Sequence, residues 1–231
     1  MHKLYGLSFV GSQQREPMFF TLGRDFLDNS DSPYGYSKFE GHIRIDGEMY
    51  DEENDDSEIV EVGEIRFHAY NLEKLKFNYF DKKDFKVCME DSPLAWAMDV
   101  DSSDTSLYFA VFANGFNKAV KGVSENEWTD MAFAVNEGYL VTLDRCYIKP
   151  EYRKMGVGQY IHENLFKILY TEFNITTLFV VGICVPDKNE PENMKDVQKK
   201  ILKNNGFNVF KCSNETAFCK YVYDLDFLLN V

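Results

Sequence analysis

What the chain lacks narrows its reading first. No stretch approaches the roughly 20 apolar residues that a membrane-spanning helix needs. The longest apolar run, Leu178 to Val185, has the length of a strand. The opening residues, MHKLYGLSFVGSQQREP, hold a short and interrupted apolar patch. They make a poor signal peptide, so the expected location is cytoplasmic. Five cysteines stand at 88, 146, 184, 212 and 219, an odd number with no C-x-x-C pair. That argues against a disulfide framework and for reduced thiols. The four histidines show neither H-x-x-x-H nor HExxH spacing, so no metal site is expected. There is no internal repeat and no low-complexity linker.

What is present suits a folded domain. The 231 residues are 45% apolar and 16% aromatic, enough to bury a sizeable core in one elaborated domain. The chain has 25 basic and 38 acidic side chains, a net charge of −13. Residues 1–138 carry 13 basic and 27 acidic groups, whereas residues 139–231 carry 12 and 11. The acidic part repels phosphate backbones, so nucleic acid is a poor partner for it, and a cationic ligand such as an amine is attracted. The same acidity also serves solubility alone. No membrane partner is expected, and the oligomeric state is not legible.

Residues 1–38 contain turn signals, Asp28-Asn29-Ser30-Asp31-Ser32-Pro33, and scattered aromatics. The segments 39–46, FEGHIRID, and 59–70, IVEVGEIRFHAY, alternate as strands of a hairpin. Between Asp46 and Glu64 lie ten acids and no base, which reads as a solvated acidic tip. A calcium loop would need a glycine at its sixth position, absent here. Residues 71–136 read as mostly helical, with start signals at Ser92-Pro93, Ser103-Asp104 and Ser124 to Glu127. The acids of Asp99 to Asp104 fit a turn between helices.

The pattern sharpens after residue 139. Tyr139 to Ile148 is a strand. Residues 156–170 carry apolar side chains at 157, 160, 161, 165, 168 and 169, an amphipathic helix. Thr176 to Val185 is a continuous apolar strand of the kind buried in a parallel pair. Met194 to Asn204 is a second helix, stopped by Asn205-Gly206. Phe207 to Cys212 and Ala217 to Tyr223 are strands. The order is β-α-β-α-β-β, with a right-handed crossover joining the first pair.

The segment that carries chemistry is Ile148-Lys-Pro-Glu-Tyr-Arg153-Lys-Met-Gly156-Val-Gly158. A strand ends, a loop turns, and a helix begins at two glycines. The first turn of a helix has unpaired N–H groups and the positive end of the dipole. Glycines let a phosphate approach those groups, and Arg153 and Lys154 add positive charge. There is no Walker loop, and Ile161 stands where a Rossmann turn needs its third glycine.

The R-x-x-G-x-G run after a strand, preceded by Pro150-Glu151-Tyr152, resembles the acyl-CoA loop of the GNAT superfamily of N-acetyltransferases. Lys203-Asn204-Asn205-Gly206-Phe207 resembles that family's N-G-F signature at a helix end. The resemblance covers residues 139–223 well and the hairpin 39–70 loosely. It leaves an N-terminal extension, 1–38, and makes 71–136 a helical insertion. It implies an α+β fold, a GNAT-like mixed central sheet flanked by helices, with that insertion before the cofactor-binding strand.

The resemblance further implies acetyl-CoA, or another acyl-CoA, as the acyl donor to a small-molecule or protein amine. Backbone groups of Cys146 and Ile148 would pair with the pantetheine arm. Arg153, Lys154, Met155, Gly156, Val157 and Gly158 would hold the pyrophosphate. Family members often place an acid on the cofactor strand, and Asp144 is the carboxylate within that strand. Strand parity puts it with Thr142, Cys146 and Ile148. It is the candidate general base, or it pairs structurally with a neighbour such as Arg145. Leu202 occupies the position of the family's proton-donating tyrosine, which supports an alternative: a CoA-binding or protein-interaction protein with impaired catalysis. Cys146 and Cys184 read as core thiols.

Overall fold

A computed structural model describes residues 2–15, 38–51, 55–71, 138–184, 194–212 and 215–221. The helical reading of 72–136, including the Asp99 to Asp104 turn, lies outside these residues. The described part is an α+β arrangement of one mixed seven-stranded sheet and two helices. The strands are β1 (His2–Arg15), β2 (Lys38–Asp51), β3 (Asp56–Asn71), β4 (Tyr139–Ile148), β5 (Thr177–Ile183), β6 (Asn208–Cys212) and β7 (Glu215–Tyr221). The helices are α1 (Val157–Phe173) and α2 (Met194–Asn204). The order across the sheet is β1-β2-β3-β4-β5-β7-β6. All neighbours run antiparallel except β4 and β5, which are parallel.

The elements from residue 139 onward fall where hydropathy and turn chemistry place them, to within a few residues. Val157, Ile161, Leu165, Ile168 and Leu169 line the buried face of α1, one turn apart. Tyr160, read as part of that stripe, is instead exposed and stacks parallel to Phe9 at 6.3 Å between ring centres. Gly206, at φ +75°, ends α2 in the left-handed region, where a side chain would be strained. At the other end of α1, Phe39, Phe67 and Phe173 make edge and stacked contacts that pin the helix to the sheet.

Three departures share one cause. Residues 2–15, unread in the sequence, form a strand paired along β2. Leu4, Leu7 and Phe9 all pack on the core. The spacing from Leu4 to Leu7 breaks period-two alternation because Tyr5 is an extra residue, a β-bulge between the Leu4–Met49 and Gly6–Glu48 pairs. The hairpin strands also reach further into the acidic stretch than expected, to Asp51 and from Asp56. Only residues 52–55 lie between them. A bulge at Val62 carries the register through: Ile45 faces Gly63, while Asp46 faces Glu61. The third bulge lies in β4 and sets the site.

Candidate functional site

β4 pairs with β5 from Tyr139 to Leu143, and the last pair is Leu143–Gly182. Beyond it each strand keeps its outer neighbour. β4 continues against β3 to the Ile148–Gly63 pair, and the Lys149 N–H donates to the Val62 carbonyl at 2.9 Å. β5 continues against β7, and the Cys184 N–H donates to the Thr216 carbonyl at 2.8 Å. The parallel pair therefore opens into a wedge. Gly182 helps to form its base: a Cβ there would meet the Phe218 ring and come within 2.9 Å of the Leu143 carbonyl oxygen.

A cavity of about 100 Å³ occupies the wedge, walled by β4 residues 143–147, the end of β5, and side chains of α1 and α2. Backbone groups in an antiparallel ladder alternate between the two sides of a strand. With Lys149 turned to β3, those of Cys146 and Ile148 face the wedge. One of them is already engaged, because Arg153 donates from Nε to the Ile148 carbonyl at 2.8 Å. The Arg153 guanidinium also lies 5.6 Å from the Tyr147 ring centre. Arg153 is thus a clamp between loop and strand as well as a positive charge at the mouth.

The loop continues as a single 3-10 turn, Pro150–Tyr152, and then α1. The Arg153 N–H is taken by the Pro150 carbonyl at 3.3 Å, so the row of open amides begins one residue later than the resemblance implied. The N–H groups of Lys154 through Gln159 have no acceptor among the described residues, and no side chain caps Gly156. Lys154 and Gly156 take left-handed φ values of 65° and 86°. A Cβ on Gly156 would find no atom within 4 Å, so the space beside Gly156 is open. Lys154 and Met155 are exposed, while the Val157 side chain is buried in the core.

Asp144 is the bulged residue of β4: Arg66 faces Arg145 and Phe67 faces Leu143, leaving Asp144 unmatched. This corrects the parity argument. Val141 and Leu143 lie in the core under α1, and Cys146 and Ile148 pack against that same core. One extra residue shifts the alternation, so Asp144 does not share a face with Cys146 and Ile148. Its carboxylate Oδ2 lies instead 3.1 Å from Nδ1 of His68. The His68 side chain is 14% exposed and that of Asp144 32%. The sequence shows His68 as one polar residue in an alternating strand, and nothing in it reveals the bulge that brings the two together. Arg145, the neighbour expected as a structural partner, reaches Glu64 instead at 3.4 Å.

Several carboxylates of β2 and β3 have cationic partners. Glu64 meets Arg66 at 3.0 Å and His42 at 3.1 Å, Arg44 grips Asp46 at 2.8 Å, and Lys149 reaches Glu61 at 3.1 Å. Partial burial pushes the Glu64 carboxyl up, but the hydrogen bond and charge of Arg66, with Arg145 and His42, bring it below its ordinary value. The net acidity of residues 1–138 is thus partly neutralised on these strands, while Glu48, Asp56 and Glu58 stand exposed toward the hairpin tip.

Burial favours the neutral forms of Cys146, Cys184 and His162 in the cavity. Burial pushes the Cys146 thiol up to about 12 and the Cys184 thiol to about 11. Burial lowers His162, a lowering to which Lys220 adds and which the Gly158 carbonyl opposes. Leu202 is 2% exposed and lines the cavity. Among the described residues there is no cluster of three or more side chains suited to a metal, and no helix long and apolar enough to cross a membrane. No protein-family model matches the chain, and a search of curated proteins finds no match in sequence.

Proposed function

We propose that the protein is an acyl-CoA-dependent N-acyltransferase, with acetyl-CoA as donor and a primary amine as acceptor. One relationship carries this reading: the wedge between β4 and β5 adjoins the uncapped first turn of α1 across the Lys149–Gly156 loop. An extended arm can lie along the exposed edge of β4 beyond Leu143, and a diphosphate can accept from the amides of Lys154 to Gln159. The residues present fit that donor: the space before Gly156 is open, and positive charge from Arg153 and Lys154 stands beside it.

Acyl transfer needs a neutral amine at the thioester carbon. In this reading Asp144 takes the proton that the nitrogen loses as the C–N bond forms. The C–S bond then breaks, and the leaving thiolate takes its proton from solvent, because Leu202 has none to give. The His68 ring stands beside the Asp144 carboxylate, its Nδ1 3.1 Å from Oδ2. The overall negative charge of residues 1–138 favours an acceptor that arrives as a cation.

Leu202 also supports a second reading, a CoA-binding protein without turnover. Thermal-shift titration with acetyl-CoA and desulfo-CoA tests binding, and thiol release over a panel of amines tests transfer. Saturable stabilisation with amine-dependent release supports the transferase. Stabilisation without release above hydrolysis supports the second reading, and no stabilisation by either compound removes both.

A further inference from the structure

Two polar side chains in the wedge have hydrogen-bonding capacity that no described residue uses. Gln198 lies on α2 one turn before Leu202, so the two share a helix face, and both line the cavity. Its Oε1 is buried and has no hydrogen-bond partner among the described residues. Buried amide oxygens are nearly always paired, and leaving one unmatched costs stability. His162 lies on α1 and lines the same cavity. Its Nδ1 is 2.7 Å from the Gly158 carbonyl, which can only accept, so Nδ1 carries the proton. The ring packs edge-on to Phe207 at 5.9 Å. In the neutral ring Nε2 is an acceptor, with no partner among the described residues.

The side-chain oxygen and ring nitrogen of this wedge are therefore acceptors. Around them stand apolar side chains, the weakly donating thiols of Cys146 and Cys184, and on β4 the polar Asp144, Arg145 and Tyr147, with Arg145 drawn to Glu64 and to the Tyr147 ring. A cavity of about 100 Å³ has ample room for several chain atoms, since about 10–15 Å³ already admits a water. We propose that Gln198 and His162 grip the arm of the acyl donor by accepting hydrogen bonds from its secondary amide N–H groups, so that the wedge selects an amide-bearing thioester. This rests on the acyl-CoA reading. It adds that the helices hold the arm from the side opposite the β4 edge, and that Gln198 is left unmatched in the ligand-free fold because its partner is the ligand.

The test compares CoA with adenosine 3′-phosphate 5′-diphosphate, the nucleotide end without the amide arm, by calorimetric titration of the full chain. Scanning calorimetry of the ligand-free protein runs alongside. For Gln198→Leu the expected result is CoA binding about tenfold weaker and unchanged binding of the nucleotide fragment. The ligand-free melting temperature should rise by about 2–4 °C, because an unmatched buried oxygen has been removed. His162→Leu should also weaken CoA selectively, and His162→Gln, which keeps an acceptor, should weaken it less. Unchanged CoA affinity in Gln198→Leu and His162→Leu overturns the proposal. So does a fall in the Gln198→Leu melting temperature, which would mean that an internal water satisfies the amide as part of the fold. Failure of the unsubstituted protein to bind either compound removes the acyl-CoA reading itself.

Discussion

Arg153 Nε donates to the carbonyl oxygen of Ile148 at 2.8 Å, tying the loop before α1 to the end of β4. The same side chain thereby fixes the strand edge and charges the mouth of the loop. Arg153→Ala should lower unfolding stability by about 1 kcal/mol, the worth of one hydrogen bond, and weaken CoA as well. Arg153→Lys keeps the charge but not the planar donor, so it should recover affinity more than stability. Urea unfolding and titration calorimetry on both variants separate the two effects. Equal recovery of both quantities by lysine would show that the clamp contributes nothing.

Asp144 and His68 meet only because β4 has one residue too many for β3. If Asp144 receives the amine proton, Asp144→Asn should lower kcat by about 100-fold or more, with CoA affinity within about twofold of the parent. His68→Gln should give a smaller loss, because it disturbs the position of the carboxylate and leaves the carboxylate itself. Steady-state kinetics over a range of pH read both effects. Full activity in Asp144→Asn would exclude it as the base.

Burial holds His162 below its ordinary 6.5 in the fold. As pH falls, the unfolded chain takes up that proton first. The stability from the neutral ring is whole above about 6.5 and is lost as pH drops from there toward the folded value. Glu64 is also lowered, from 4.5, so its contribution is whole above that pH and declines below it. Urea midpoints should fall in two stages on acidification, and His162→Leu should flatten the upper stage while leaving the lower. A His162→Leu curve that keeps both stages would contradict this assignment.

The thiols of Cys146 and Cys184 are protonated at neutral pH, with values raised by burial to about 12 and 11. Neither is an attacking thiolate under those conditions. Iodoacetamide at pH 8 should label both at least about tenfold more slowly in the folded protein than in urea, read by peptide mass spectrometry. Labelling as rapid as in the unfolded chain would mean that the wedge is wider and wetter than its walls indicate.

Much of the second half of the chain was legible from residue order alone. The helix stripe at Val157, Ile161, Leu165 and Leu169, the stop at Gly206, and the strand-loop-helix run through Gly156 are local patterns. Such patterns survive because helix periodicity and turn chemistry act over a few neighbouring residues. The loop chemistry was legible too, since open amides follow from where a helix begins.

The bulges at Tyr5, Val62 and Asp144 were not legible, and they decide which residues share a face. A bulge depends on what the neighbouring strand offers, and that strand lies distant in sequence: His68 and Asp144 are 76 positions apart, yet within 3.1 Å. The amino-acid order by itself determined the local elements and a helix start with uncapped amides, because those depend on near neighbours. Only the tertiary structure decided which way Asp144 points, that β4 and β5 part after Leu143, and that Gln198 and His162 look into the same space, because each follows from register and packing between segments that meet only in the folded chain.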